Sequence, residues 1–233
     1  MIFDFQYFWD LIGPQQNRTK CPKCRALNAY KAFQKTSAHG LSGDCVELGV
    51  WKGGISAMLG RLSELSNSGK VWAFDSFQGM SNCGDYDLAE GEDEVKLAKT
   101  PQVQIKNFSL SDFNHTCYEI VGLKKETIIP VIGWVEETLP TYSPKIKSIK
   151  ILRLDLDWYE PTKLALEFLY EKVVTGGYII CDDYGYWKGA RKAIDEFREE
   201  NKIFSKLIQT PKTDGSKQEN LQSGTEHYWI KEN

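Results

Sequence analysis

Several features that would narrow the function at once are missing from this sequence. It has no G-x-G-x-x-G turn and no G-K-[ST] phosphate loop, so a dinucleotide pyrophosphate lacks its usual backbone cradle. No apolar run approaches the roughly 20 residues that cross a bilayer, and the run 173–181 is already interrupted by Thr and Gly. Positive charge is not in excess. The 29 Lys plus Arg stand against 32 Asp plus Glu, net −3, which argues against a nucleic-acid partner. Histidine is scarce, and His39, His115 and His227 form no ligand pattern. Of six cysteines only Cys21 and Cys24 make a C-x-x-C, half of a zinc site with no second pair. The opening MIFDFQYFWDLI lacks the basic start and the small-residue cleavage site of a secretion signal. The expectation is a cytoplasmic protein with neither nucleic acid nor membrane as partner.

What is present is globular material. The 233 residues are 41% hydrophobic and 26% charged, enough for one large domain. Residues 1–42 read as an N-terminal helical segment. Its Phe3, Phe5, Phe8, Trp9 and Leu11 suit an active-site lid or a homodimer contact, with plain packing on the core as the alternative. From 43 to 233 short apolar runs alternate with helical patterns, the signature of a parallel α/β sheet. Strands are predicted over 44–49, 70–74, 127–132, 148–156, 178–181, 204–210 and 226–231. Helices are predicted over 55–65, 162–172 and 188–201, with Gly176-Gly177 as a break before the fifth strand. The acidic stretch 85–94 reads as a solvated loop.

In such a sheet ligands bind beyond the carboxyl ends of the strands. Glu47, Asp75, Asp155 with Asp157, and Asp182 with Asp183 all fall there. Any one alone is as readily a turn former or helix cap; four strand ends together point to a site. The tight turn 49–54 has no phosphate cradle and is followed by an acid ending the second strand. That suits a nucleoside without phosphates whose ribose hydroxyls donate to Asp75. S-adenosylmethionine is such a nucleoside, and its cationic sulfonium and amino groups favour Glu47 and the nearby carboxylates.

The segments GDCVELGVWKGG (43–54), AFDSFQGM (73–80), GWVEETLP (133–140), ILRLDLDWYEPT (151–162) and GGYIICDDYGYWKGARKAIDEFR (176–198), with the terminal HYWIK, occur in one order. Together they resemble the macrocin O-methyltransferase family, metal-dependent enzymes that methylate sugar hydroxyls of macrolide and aminocoumarin antibiotics. The resemblance implies the class I S-adenosylmethionine-dependent methyltransferase (Rossmann-like) fold. That is an α/β, mostly parallel seven-stranded sheet with helices on both faces and the last strand antiparallel. The expected cofactor site comprises Glu47, Gly49, Trp51, Gly53, Asp75, Ser76, Gly133 and Trp134, with Trp134 flanking the adenine by resemblance. Asp155, Asp182 and Asp183 are, by resemblance, the ligands of magnesium or another divalent cation. The family usually has a glycine and a serine where this chain has Leu156 and Pro161, and a smaller apolar residue at Trp158; these departures bear on the acceptor.

Asp157 lies two residues beyond Asp155, on the same face if the chain stays extended, and is the candidate general base. The competing reading pairs Asp155 with Arg153 and makes Asp157 a cap for the next helix. Tyr184 and Trp187 are candidates for stacking on a sugar ring or aromatic acceptor, with surface packing as the alternative. The expected partner is a small-molecule hydroxyl. A catechol-like acceptor and a non-catalytic cofactor-binding scaffold remain the other readings.

Overall fold

The computed structural model describes residues 4–87, 108–211 and 226–232. Phe3, most of the acidic stretch 85–94 and most of the segment 211–224 lie outside them. Seven strands form one sheet: β1 (Asp44–Leu48), β2 (Val71–Asp75), β3 (Ile128–Ile132), β4 (Ile149–Leu154), β5 (Val173–Cys181), β6 (Ile208–Gln209) and β7 (His227–Ile230). Their order is β3-β2-β1-β4-β5-β7-β6, with β1 to β5 parallel and β7 antiparallel to both its neighbours. The central strand β4 is buried along its whole length, as a parallel strand covered on both faces requires. Pro130 is tolerated because β3 is an edge strand, where a missing N–H costs no ladder bond.

Successive strand residues point to opposite faces and feed two cores. On one face Cys45, Ile151 and Ile180 pack with α1 (Phe5–Ile12), α2 (Lys23–Ala38) and α3 (Gly54–Ser66), through Phe8, Ile12, Phe33, Met58 and Leu59. The short helix α4 (Leu110–Asn114) brings Phe113 to the same cluster. On the other face Val46, Leu48, Leu152 and Ile179 pack with α5 (Val135–Tyr142), α6 (Tyr159–Leu169) and α7 (Lys188–Glu200). In α7 the apolar Ala190, Ala193, Ile194 and Phe197 recur at helical spacing and are all buried. α1 begins where the Asp4 carboxylate accepts the Tyr7 amide at 2.9 Å. In the N-terminal aromatic stretch Phe8 is fully buried, and Phe5, Trp9 and Leu11 are partly buried against the same cluster. Among the described residues no helix is long and apolar enough to cross a membrane.

Three local expectations are corrected. Gly176-Gly177 does not precede the fifth strand but lies inside β5, at a bulge where the β4–β5 register shifts. Gly176 has φ +84°, and a Cβ on Gly177 would sit 2.8 Å from the Val174 carbonyl oxygen, so the bulge needs both glycines. The strand predicted over 204–210 shrinks to Ile208–Gln209, and Phe204 is 89% exposed. Within the acidic stretch, Asp87 is buried rather than solvated, accepting the amides of Gly84 and Tyr159 at 2.8 and 2.7 Å. It thereby holds the first turn of α6.

Candidate active site

The strand ladder runs on past the strand ends: Gly49 N–H donates to Phe74 O, Asp155 N–H to Leu48 O and Asp182 N–H to Leu154 O, each at 2.9 Å. This draws the acidic residues together along one edge. Gly49 makes the close approach feasible, since a Cβ there would lie 1.8 Å from the Asp155 carbonyl oxygen. Its φ of +82° also favours glycine.

A cavity of about 200 Å³ opens at the carboxyl ends of β1, β2 and β4. Of the expected cofactor residues, Glu47, Gly49, Trp51 and Asp75 line it, as do Ser76, Gly133 and Trp134. Gly53 does not. It has φ +78°, and a Cβ would strike the Phe113 ring at 2.5 Å, so it serves the turn into α3. Asp75 does more than face the cavity: its Oδ2 accepts the Val50 and Trp51 amides at 2.9 and 3.0 Å, and its Oδ1 accepts Phe77 N–H at 2.8 Å. Burial raises its pKa against these donors. The carboxylate therefore shapes the loops after both β1 and β2. The buried Trp51 Nε1 has no hydrogen-bond partner among the described residues.

Beside the cavity sits a charge cluster organised by Arg153, which is 1% exposed. Its register partner on β1 is Glu47. Arg153 Nη1 donates to Glu47 Oε1 at 2.9 Å and to Asp155 Oδ2 at 2.8 Å, and Nη2 to Asp182 Oδ1. Arg25 of α2 donates to the other oxygen, Asp182 Oδ2, and Ser56 donates to Glu47. The Arg153–Asp155 pair of the competing reading is thus present, but inside a larger carboxylate cluster.

The charges interact strongly. Burial, against Arg153 and Ser56, pushes Glu47 up to about 7. Burial and the Asp182 charge push Asp155 up to about 6. Asp182 is also desolvated, but Arg153 and Arg25 outweigh that and hold its carboxyl below the usual range. Asp183, which has no ion-pair partner among the described residues, is driven well up by burial and by Asp157 and Asp155. Two guanidinium groups do not neutralise this many carboxylates. Asp155, Asp182 and Asp183 also offer oxygens that all lie within 4.8 Å of one another, a hard-oxygen set of the kind magnesium takes. The residues fit a divalent cation.

Asp157 lines the cavity, but the chain does not stay extended to reach it. It has φ +63°, and Trp158 N–H closes back on Leu156 O at 2.6 Å. The Asp183 carboxylate pins this turn by accepting Asp157 N–H at 3.1 Å. Asp157 caps no helix; its Oδ1 accepts Trp187 Nε1–H at 2.7 Å. Burial and the Asp155 charge raise Asp157 to about 7, with the Trp187 bond opposing.

Trp187 is buried against Trp158, ring centroids 4.9 Å apart, and supports Asp157 from behind. Tyr184 donates to Asp195 and packs on His227, away from the cavity lining. The sequence reading missed Arg25 and Ser56, and it placed Arg153 only beside Asp155, not at the centre of the cluster. For Arg153 a signal existed: a cation inside the apolar strand ILRL must find a buried partner. For Arg25 there was none.

A sheet in this order with a reversed β7, and a carboxylate-lined cavity at the carboxyl ends of its first strands, defines a class I S-adenosylmethionine-dependent methyltransferase. The solved O-methyltransferase NovP is similar, with TM-score 0.77 and 28% identity over 94% of this chain and 84% of that one. The chain belongs to the macrocin O-methyltransferase family, whose profile matches residues 9–214, and is an O-methyltransferase. Among curated relatives, demethyldecarbamoylnovobiocin O-methyltransferase of Streptomyces niveus is 32% identical over 186 residues, 79% of this chain and 69% of that protein. Mycinamicin III 3''-O-methyltransferase of Micromonospora griseorubida is 27% identical over 195 residues, 79% of this chain and 72% of that protein.

Proposed function

We propose that this protein transfers the methyl group of S-adenosylmethionine to a hydroxyl of a sugar or glycosylated metabolite. In this reading Asp155, Asp182 and Asp183 hold a divalent cation and Asp157 is the base. The observation that carries it is the placement of Asp157 in the cavity wall directly beside the three-carboxylate cluster. The names of the relatives, which methylate glycosylated antibiotics, support the acceptor class.

A sulfonium supplies an activated methyl group, and a bound dication supplies a Lewis acid that lowers the pKa of a hydroxyl. The chain's own residues do the rest. Asp75 accepts a ribose hydroxyl with its remaining lone pair on Oδ1, while the bonds from Val50, Trp51 and Phe77 keep the two loops in place. Glu47 presents negative charge towards the cationic end of the cofactor, and Trp134 flanks the adenine. Asp157 takes the proton of the acceptor hydroxyl, held in one orientation by Trp187 Nε1 and by the turn that Asp183 pins. A base already raised by burial is better matched to this work near neutral pH than an unperturbed aspartate.

The base must be ionised, so activity is lost as pH falls through its pKa. Trp187→Phe removes a donor that favours the ionised form and should move the acidic limb of the kcat profile upward by roughly one pH unit, at near-unchanged cofactor affinity. An unmoved limb detaches Trp187 from the base. For the acceptor, the test is a panel of glycosides and catechols offered with S-adenosylmethionine and magnesium. Methylated glycosides are expected; transfer to catechols alone overturns the acceptor assignment.

A further inference from the structure

Asp182 is the carboxylate a cation would find hardest to recruit. Arg25 holds its Oδ2 and Arg153 its Oδ1, and the side chains of the Arg25–Asp182 pair are each only 7% exposed. Two like charges next to a dication in a desolvated cluster repel it strongly. Arg153 can give up Asp182 and remain paired with Glu47 at 2.9 Å. Arg25 is on α2, and the structure holds a second carboxylate for it. Glu226 is fully buried and within electrostatic reach of Arg25. Glu226 Oε1 accepts Asn28 Nδ2–H at 2.8 Å and Thr210 Oγ1–H at 2.5 Å. Glu226 Oε2 is buried with no hydrogen-bond partner among the described residues. Asn28 lies three residues after Arg25, on the same side of α2. A buried acceptor left unsatisfied is costly, and one within electrostatic reach of an arginine is a landing place for it.

We propose that Arg25 is a competing internal cation, displaced from Asp182 to Glu226 when a dication enters the Asp155–Asp182–Asp183 cluster. The inference rests on the cation reading above. Its consequence is that metal affinity is set partly by α2, outside the carboxylates themselves. Removing the competitor then tightens metal binding, the reverse of what damage to the site would do. Removing the landing carboxylate weakens it.

The test is titration with Mn²⁺, followed by its paramagnetic resonance signal, of wild type, Arg25→Gln, Glu226→Gln and the double variant, without cofactor or acceptor. Arg25→Gln should bind Mn²⁺ about tenfold more tightly, within the usual range of site-to-site coupling. Glu226→Gln should bind several-fold more weakly, and the double variant should match Arg25→Gln. Weaker or unchanged binding by Arg25→Gln overturns the competition; Glu226→Gln at wild-type affinity overturns the landing site. Should Arg25→Gln not fold, Arg25→Lys, which keeps the charge but loses the fork, takes its place and is expected to bind more tightly than wild type by a smaller factor. If no protein in the series, wild type included, binds Mn²⁺, the cation reading itself fails and this inference with it.

Discussion

Asparagine in place of Asp157 is expected to lower kcat by about 10² to 10⁴ while leaving cofactor and metal affinity near those of wild type. The substitution keeps the shape and the contact surface. The turn at 157 is held through its backbone N–H to Asp183 and through the Trp158 amide, neither of which depends on the side chain. An amide oxygen can still accept the Trp187 Nε1–H bond. What is lost is basicity alone, so single-turnover measurements at saturating cofactor should show the whole effect in the chemical step. A variant with wild-type kcat would make Asp157 a structural acceptor for Trp187 and nothing more.

Asp155→Asn is expected to fail differently. Its carboxylate belongs to the three-oxygen cluster and shares Arg153 with Glu47 and Asp182, so the first loss is metal affinity. At low magnesium turnover should fall to near background, and excess magnesium should restore part of it. The fold itself should survive. Asp155 is raised to about 6 because burial and Asp182 oppose its charge, so neutralising it relieves repulsion and should leave thermal stability without added metal unchanged or higher. A variant that melts much earlier than wild type would show that Asp155 holds the sheet edge together instead of a cation.

The parts of this molecule that follow from local pattern were legible in its sequence. β1, β2, β3 and β4 are apolar runs ending in turn residues, and α7 repeats its buried positions at helical spacing, so element type and order could be read directly. The acidic residues could be found because a doubly wound sheet puts its site at the strand ends. What escaped is non-local. Arg25 meets Asp182 across a sequence separation of 157, and no spacing rule links a residue of the second helix to the end of the fifth strand. Asp87 reads as one more charge in an acidic run and becomes buried because Tyr159 needs an acceptor. Gly176-Gly177 reads as a break, yet pairing with β4 recruits it as a bulge. The expectation that Asp157 shares a face with Asp155 required an extended chain, and it fails at Asp157, where the backbone turns left-handed.

The division of labour among the aspartates is tested by the initial rate against magnesium concentration for Asp155→Asn and Asp157→Asn at fixed, saturating S-adenosylmethionine. The rate of Asp155→Asn is expected to climb with magnesium well beyond the concentration saturating wild type, and the low rate of Asp157→Asn to saturate where wild type does. Rescue of Asp157→Asn by magnesium, with Asp155→Asn flat, would contradict it and exchange the two roles.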